Sequence, residues 1–244
     1  MPVDKTSRRA LVIGAAATVL ALTAGVGIGL AADGGSEGGA PRTAKLVVPA
    51  NTTGKDGTVI TYGKASAPLT VGVHEDMRCP YCASFERDLG ATLTSLADSG
   101  KVKVEFHMAT FLDKRLEGKG SRTALGALGA ALNESPALFK QFHTALYEAQ
   151  PKEETTDTFG STSELLEIAG KVPGLRTHAF NKAVKEGTYL AWADRVGEAF
   201  YDSDVTGTPA VKAGGRDITV LDDHGKPVDA RQFTEEIEAA AARR

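Results

Sequence analysis

Residues 69–85 read LTVGVHEDMRCPYCASF, and the fold is decided here. The first part, Leu69 to His74, is rich in β-branched residues and predicts a strand. It leads straight into Cys79-Pro80-Tyr81-Cys82, where Pro80 suits the first position of a helix because its preset φ and missing N–H cost nothing there. Phe85, Leu89, Leu93 and Leu96 then recur at helical spacing until Gly100 stops the helix. Lys101–Ala109 alternates, with Val102, Val104, Phe106 and Met108 on one face, and predicts a second strand. Strand, helix and strand of these lengths make a right-handed βαβ unit with parallel strands.

Working outward, Thr58 to Tyr62 predicts one more strand before this unit. After it the period turns helical for about ninety residues, residues 112–200. Ala124, Leu125, Leu128, Ala131 and Leu132 mark one helix. Ser135-Pro136 caps another that carries Leu138, Phe139, Phe142, Leu146 and Tyr147. Ser163–Val172, Thr177–Glu186 and Thr188–Asp202 supply the rest, and their aromatic residues read as core. Beyond Pro209, Ala210–Ala213, Gly214-Gly215 and Asp217–Leu221 predict a hairpin, and Ala230–Ala242 a closing helix. The reading is one α/β domain, residues 58–244, carrying an all-helical insertion at about 112–200.

The N-terminal residues read differently. Lys5, Arg8 and Arg9 precede 23 uncharged residues, Ala10–Ala32. As a helix that run would be ~35 Å long, enough for a ~30 Å hydrocarbon core. Basic residues before it and Asp33 and Glu37 after it predict residues 1–9 inside, a single-pass transmembrane signal-anchor over 10–32, and everything later outside the cell. Cleavage after Gly29-Leu30-Ala31 and secretion is the alternative. Residues 33–57, with Gly34, Gly35, Gly38 and Gly39, read as a flexible linker.

Composition narrows the function. The 244 residues are 42% hydrophobic and 24% charged, so disorder is excluded as the main state. A net charge of −3 leaves no basic surplus for nucleic-acid binding. Cys79 and Cys82 are the chain's two cysteines. As a structural staple they would close a loop of four residues, worth only about 2 kcal/mol in the chain-entropy model. A zinc site needs four ligands, and His74, His107, His143, His178 and His224 are scattered; a copper site on both thiolates and one histidine is a further alternative. Dithiol–disulfide exchange uses what the motif offers. Cys79 at the helix cap meets backbone N–H groups that favour its thiolate. Cys82, one turn in on the same face, is within reach for a disulfide. The outer sulfur attacks a partner and the inner one resolves the mixed disulfide. No cofactor or metal is expected.

A strand followed by Cys-Pro-Tyr-Cys opening a helix resembles the thioredoxin fold. With the helical insertion and export segment, residues Val59 to Arg244 look like the DsbA family of thiol-disulfide oxidoreductases, in its membrane-anchored Thioredoxin_4-type branch. Glu75-Asp76 before the cysteines and Phe85-Glu86 after them are similar to that family's pattern, with Pro80 and Tyr81 as the tuning residues between the sulfurs. Val205 to Ala210, VTGTPA, looks like the family's loop, in which Thr208-Pro209 would be cis and, facing the cysteines, would bind the client chain. The resemblance implies exported cysteine-containing client proteins and a membrane redox partner, linked to quinone, that recycles the disulfide. It implies a disulfide donor; a reductase or isomerase, or a non-catalytic tethered binding module, are the alternatives. The chain departs from the family in two places. Val73 stands where the family often has a buried acid serving the inner thiol, leaving Glu75 and Asp76 to read as loop charges. Lys212 interrupts the usually apolar run after Pro209, so the sheet edge there is expected to be less buried than usual.

Overall fold

The computed structural model describes residues 45–242. The expected tail, the apolar run and the first part of the linker lie outside the described residues. From the N-terminal side, β1 (Thr52–Thr53), β2 (Val59–Gly63) and β3 (Leu69–Asp76) lead to α1 (Pro80–Asp98) and β4 (Val102–Ala109). Six helices follow: α2 (Phe111–Arg115), α3 (Gly120–Glu134), α4 (Pro136–Glu148), α5 (Thr162–Ala169), α6 (His178–Glu186) and α7 (Leu190–Tyr201). The chain then returns to the sheet as β5 (Ala210–Ala213) and β6 (Arg216–Ile218), and closes with α8 (Ala230–Ala241).

The sheet order is β1-β2-β4-β3-β5-β6. Only β3 and β4 run parallel, from Leu69 opposite Val102 to Asp76 opposite Ala109, as a helical crossover between them requires. The other pairs are antiparallel. Strand pleating sends successive side chains to opposite faces. Val71, Val73 and Phe106 are buried on the face where the Phe106 ring meets Phe139 of α4 edge-on at 5.4 Å. On the other face His74 and His107, paired across β3 and β4, stack at 4.6 Å, and His74 meets Phe200 of α7. Phe85 of α1 packs on Phe233 of α8. The core is thus continuous from the sheet through the helical block.

Three expectations are corrected. The linker does not extend to residue 57, because Leu46 and Val47 pack against the core and β1 pairs with β2. Asn51 Nδ2 donates to the Leu132 carbonyl at 2.9 Å, and the Gly57 carbonyl accepts from Trp192 Nε1 at 2.8 Å. Gly54 and Gly57 have φ of 74° and 68°, so these glycines make turns rather than slack. The hairpin's second strand ends at Ile218 instead of Leu221; Leu221 instead bridges to Pro227 across the turn at Asp222–Lys226. Lys212 leaves the neighbouring residues buried: it points to the rim, 3.0 Å from both Asp204 and Asp217, while Val211 and Ala213 are in the core.

Candidate active site

Cys79 is the N-cap of α1, in extended conformation (φ −74°, ψ 118°), with Pro80 starting the helix. The Cys79 sulfur accepts from the Cys82 backbone N–H at 3.4 Å. Its thiol donates to the Thr208 carbonyl at 3.4 Å, which places the loop at Thr208-Pro209 against the cysteines, and that peptide bond is cis. The loop before Cys79 is held from the helical block: Gln150, just past α4, donates through Nε2 to the carbonyls of Met77 (2.9 Å) and Cys79 (3.1 Å). Both cysteines are free thiols.

The two sulfurs differ in environment. Cys79 is 5% exposed and Cys82 is 0% exposed, while the neighbouring Tyr81 is 52% exposed. The hydrogen bond from the Cys82 thiol, aided by the backbone N–H groups of Tyr81 and Cys82, holds Cys79 below the usual thiol range although burial pushes the other way. Burial pushes Cys82 well above that range, and the Cys79 sulfur and the Glu75 carboxylate push it further. Burial and hydrogen bonding thus make the two thiols chemically unequal.

Glu75 and Asp76 are not loop charges. Both lie on β3 and are fully buried. Asp76 is held by the Ser121 hydroxyl (2.5 Å) and by the backbone N–H groups of Arg78 (3.0 Å) and Leu112 (3.1 Å), yet burial still raises it to about 6. Glu75 Oε2 lies 2.9 Å from His143 Nε2, while Glu75 Oε1 is buried without a hydrogen-bond partner. A buried acid thus stands two residues after position 73, on the same face of β3. The alternation Leu69, Val71, Val73 already pointed inward at Glu75; the charged Glu75-Asp76 pair hid it.

Sequence reasoning also missed Arg78. This buried guanidinium pairs through Nη1 with Asp113 (3.2 Å), and its Nε is 3.6 Å from Asp157. The same carboxylates accept the first N–H groups of α3: Asp113 from Ser121 and Arg122, Asp157 from Lys119 and Gly120. Arg78 thus binds the loop before Cys79 to the end of the insertion's longest helix. Its only sequence signal is a charge beside the motif, and its partners are 35 and 79 residues away. Among the described residues no cluster of three or more His, Cys, Asp or Glu is placed to hold a metal ion.

A capped, asymmetric dithiol facing a cis-proline loop, in a thioredoxin-like sheet with a helical insertion, defines the class: a DsbA-like thiol-disulfide oxidoreductase. Within that class the chain belongs to the Thioredoxin_4 family, described as thioredoxin, whose family model matches residues 55–239. It is 26% identical over 163 residues to Disulfide bond formation protein D of Bacillus subtilis, a match covering 66% of this chain and 70% of that protein. Among solved structures, oxidised BdbD from Bacillus subtilis superimposes with a TM-score of 0.62 at 23% identity, covering 81% of this chain and 100% of that one. MdbA, a thiol-disulfide oxidoreductase from Actinomyces oris, gives a TM-score of 0.62 at 24% identity, covering 79% and 89%. At these identities the solved structures speak to the fold.

Proposed function

We propose that this protein works outside the cytoplasm, anchored through residues 10–32, and donates the Cys79–Cys82 disulfide to exported proteins. The observation that carries this reading is the asymmetry of the two sulfurs. In the oxidised state a client thiolate attacks the Cys79 sulfur; the client–Cys79 bond forms, the Cys79–Cys82 bond breaks, and Cys82 leaves as a thiolate that takes up a proton. A second client thiolate then attacks the client sulfur, closing the client's disulfide and expelling Cys79 as the better leaving group. Two electrons pass from client to protein, and a membrane redox partner removes them. Tyr81, exposed beside the sulfurs, and the Thr208-Pro209 loop form the surface on which a client strand lies.

The direction follows from the same asymmetry. A stabilised Cys79 thiolate favours the reduced form and makes the disulfide oxidising. Equilibration with glutathione buffers should give a potential nearer about −120 mV than the about −270 mV of a reductant such as thioredoxin. A value at the reducing end would replace the oxidase by a reductase or isomerase. No exchange with a reduced peptide in a single turnover would leave a tethered binding module. Protease shaving of intact cells should remove the domain, and a carbonate wash should leave it in the membrane. A soluble product beginning near residue 32 would replace the anchor by a cleaved signal.

A further inference from the structure

Among the described residues three large hydrophobic side chains are exposed, Val48, Tyr81 and Tyr201, and Tyr81 is the one that stands between the two cysteines. Tyr81 and Phe85 are four apart on α1 and so share one stripe of the helix. The residues that meet this stripe come from one stretch of chain. Phe85 meets Phe233 of α8 at 6.0 Å, and Tyr81 meets Gly225, in the turn that leads into α8. A side-chain carbon at position 225 would fall 2.9 Å from Tyr81 Cε1, closer than side chains approach one another, and 3.6 Å from Cδ1. The bare glycine backbone therefore lies directly against one side of the ring.

The turn fixes that glycine by its own hydrogen bonds. The Asp222 N–H donates to the Lys226 carbonyl at 2.7 Å, and the Gly225 N–H to the Asp222 carbonyl at 2.9 Å. Asp222 Oδ1 accepts from the N–H groups of His224 (2.8 Å) and Lys226 (2.9 Å). Below the turn, Leu221 bridges to Pro227, and the Val228 N–H donates to the carbonyl of the core residue Val220 at 3.1 Å. The position of Gly225 is thus set without help from the ring. A ring that stays half in water adds little burial to the fold, while fixing its rotamer costs side-chain entropy. Ordering a contact before its partner arrives lowers the entropy lost on binding, and that is the use to which such a ring is suited.

We propose that Gly225 is a positioning residue for Tyr81, and that the ring held on residues 221–227 is a wall of the client site that favours an aromatic or large apolar side chain next to the client's cysteine. The proposal rests on the exchange activity proposed above and names the client chemistry it prefers. Tyr81 lies two residues from Cys79, so a strand whose thiol reaches that sulfur carries its neighbouring side chain to the ring. Gly225 has no side chain to cover the ring, which leaves it open to that neighbour. An aromatic neighbour gains the buried area and the ring–ring contact besides, and a glycine gains neither. The chemistry is unchanged: the Cys79–Cys82 bond breaks, the client disulfide forms, and two electrons pass to the protein.

The test uses the oxidised full-length protein and a pair of reduced two-cysteine peptides, identical except for phenylalanine or glycine after the first cysteine. Transfer of the disulfide is followed by acid quench and mass spectrometry. The phenylalanine peptide should react about fivefold faster, the scale of one aromatic contact. Tyr81→Ala should bring the ratio of the two rates close to one. Gly225→Asn should lower it as well, because asparagine adopts the φ of 73° found here while its Cβ displaces the ring. Added to Tyr81→Ala, Gly225→Asn should slow the phenylalanine peptide no further, as expected of a residue that acts through the ring. Equal rates for the two peptides, a ratio that Gly225→Asn leaves intact, or a further loss in the double variant would overturn the proposal.

If Gly225→Asn does not fold, the contact is read without it. With each peptide held on Cys79 in the Cys82→Ala protein, the Gly225 amide resonance should move for the phenylalanine peptide and stay in place for the glycine one. The same resonance for both would overturn the proposal. A disulfide that neither peptide takes would remove the exchange activity itself, and with it the client site.

Discussion

At the scale of single residues, burial separates two chemically identical side chains. In the reduced protein Cys79 should react with iodoacetamide well below the pH of about 8.5 at which a free thiol titrates, and Cys82 should stay protected until the protein unfolds. Labelling read site by site across pH checks this; modification of Cys82 first would reverse the two roles. Cys82→Ala should accumulate reductant-sensitive adducts on non-reducing gels, because nothing inside the protein then resolves the bond at Cys79, and the adducts should disappear when Cys79 is also replaced. The cap position of Cys79 and the helix-starting position of Pro80 could be read from four consecutive letters, since a helix cap is a local structure. Glu75 could have been read from the inward alternation of its own strand. His143 could not: on the apolar stripe of α4 it looks like any core histidine, and only the tertiary packing of α4 over β3 brings it to Glu75.

At the scale of elements, the parallel β3–β4 pair carries a titration of its own on the face away from the dithiol. Burial holds His74 down at about 4, helped by the charge of the stacked His107 and of Lys212 and opposed by Asp204. The unfolded chain binds this proton at about 6.5, so the contribution to stability is complete above that pH and lost as pH falls through about 4. Asp76, raised to about 6, has the opposite sign: its contribution is complete below about 3.9 and lost as pH rises through 6. His74→Phe keeps a ring between His107 and Phe200 and removes only the first of these. Urea midpoints of the variant should therefore fall less between pH 6.5 and 4 than those of the parent, and parallel curves would remove His74 from the account. The longer helices and strands from residue 58 onward were legible because each repeats its period over several turns or alternations; the five-residue α2 and the three-residue β6 are too short to show one. The strand β1 was not. It is two residues long, and Gly54 and Gly57 after it serve turns that composition alone reads as slack.

At the scale of the molecule, the helical insertion is fastened to the motif by Arg78, Gln150 and His143, so the dithiol is held partly by residues from outside the βαβ unit. Arg78→Met should cost about 3 kcal/mol, the lower end for breaking a buried ion pair, since the backbone of α3 still pairs with Asp113 and Asp157. The loss should show in hydrogen exchange at residues 113–122 before it shows in the sheet; uniform loss of protection would mean that the insertion is not separately fastened. Trp192 offers a way to watch this from a distance. It is the chain's single tryptophan, fully buried in α7 against Gly129 of α3, with its indole N–H on the Gly57 carbonyl ahead of β2. Intrinsic fluorescence is therefore an optical gauge of one seam, where the N-terminal segment meets the helical block, and a red shift of its emission marks that seam opening.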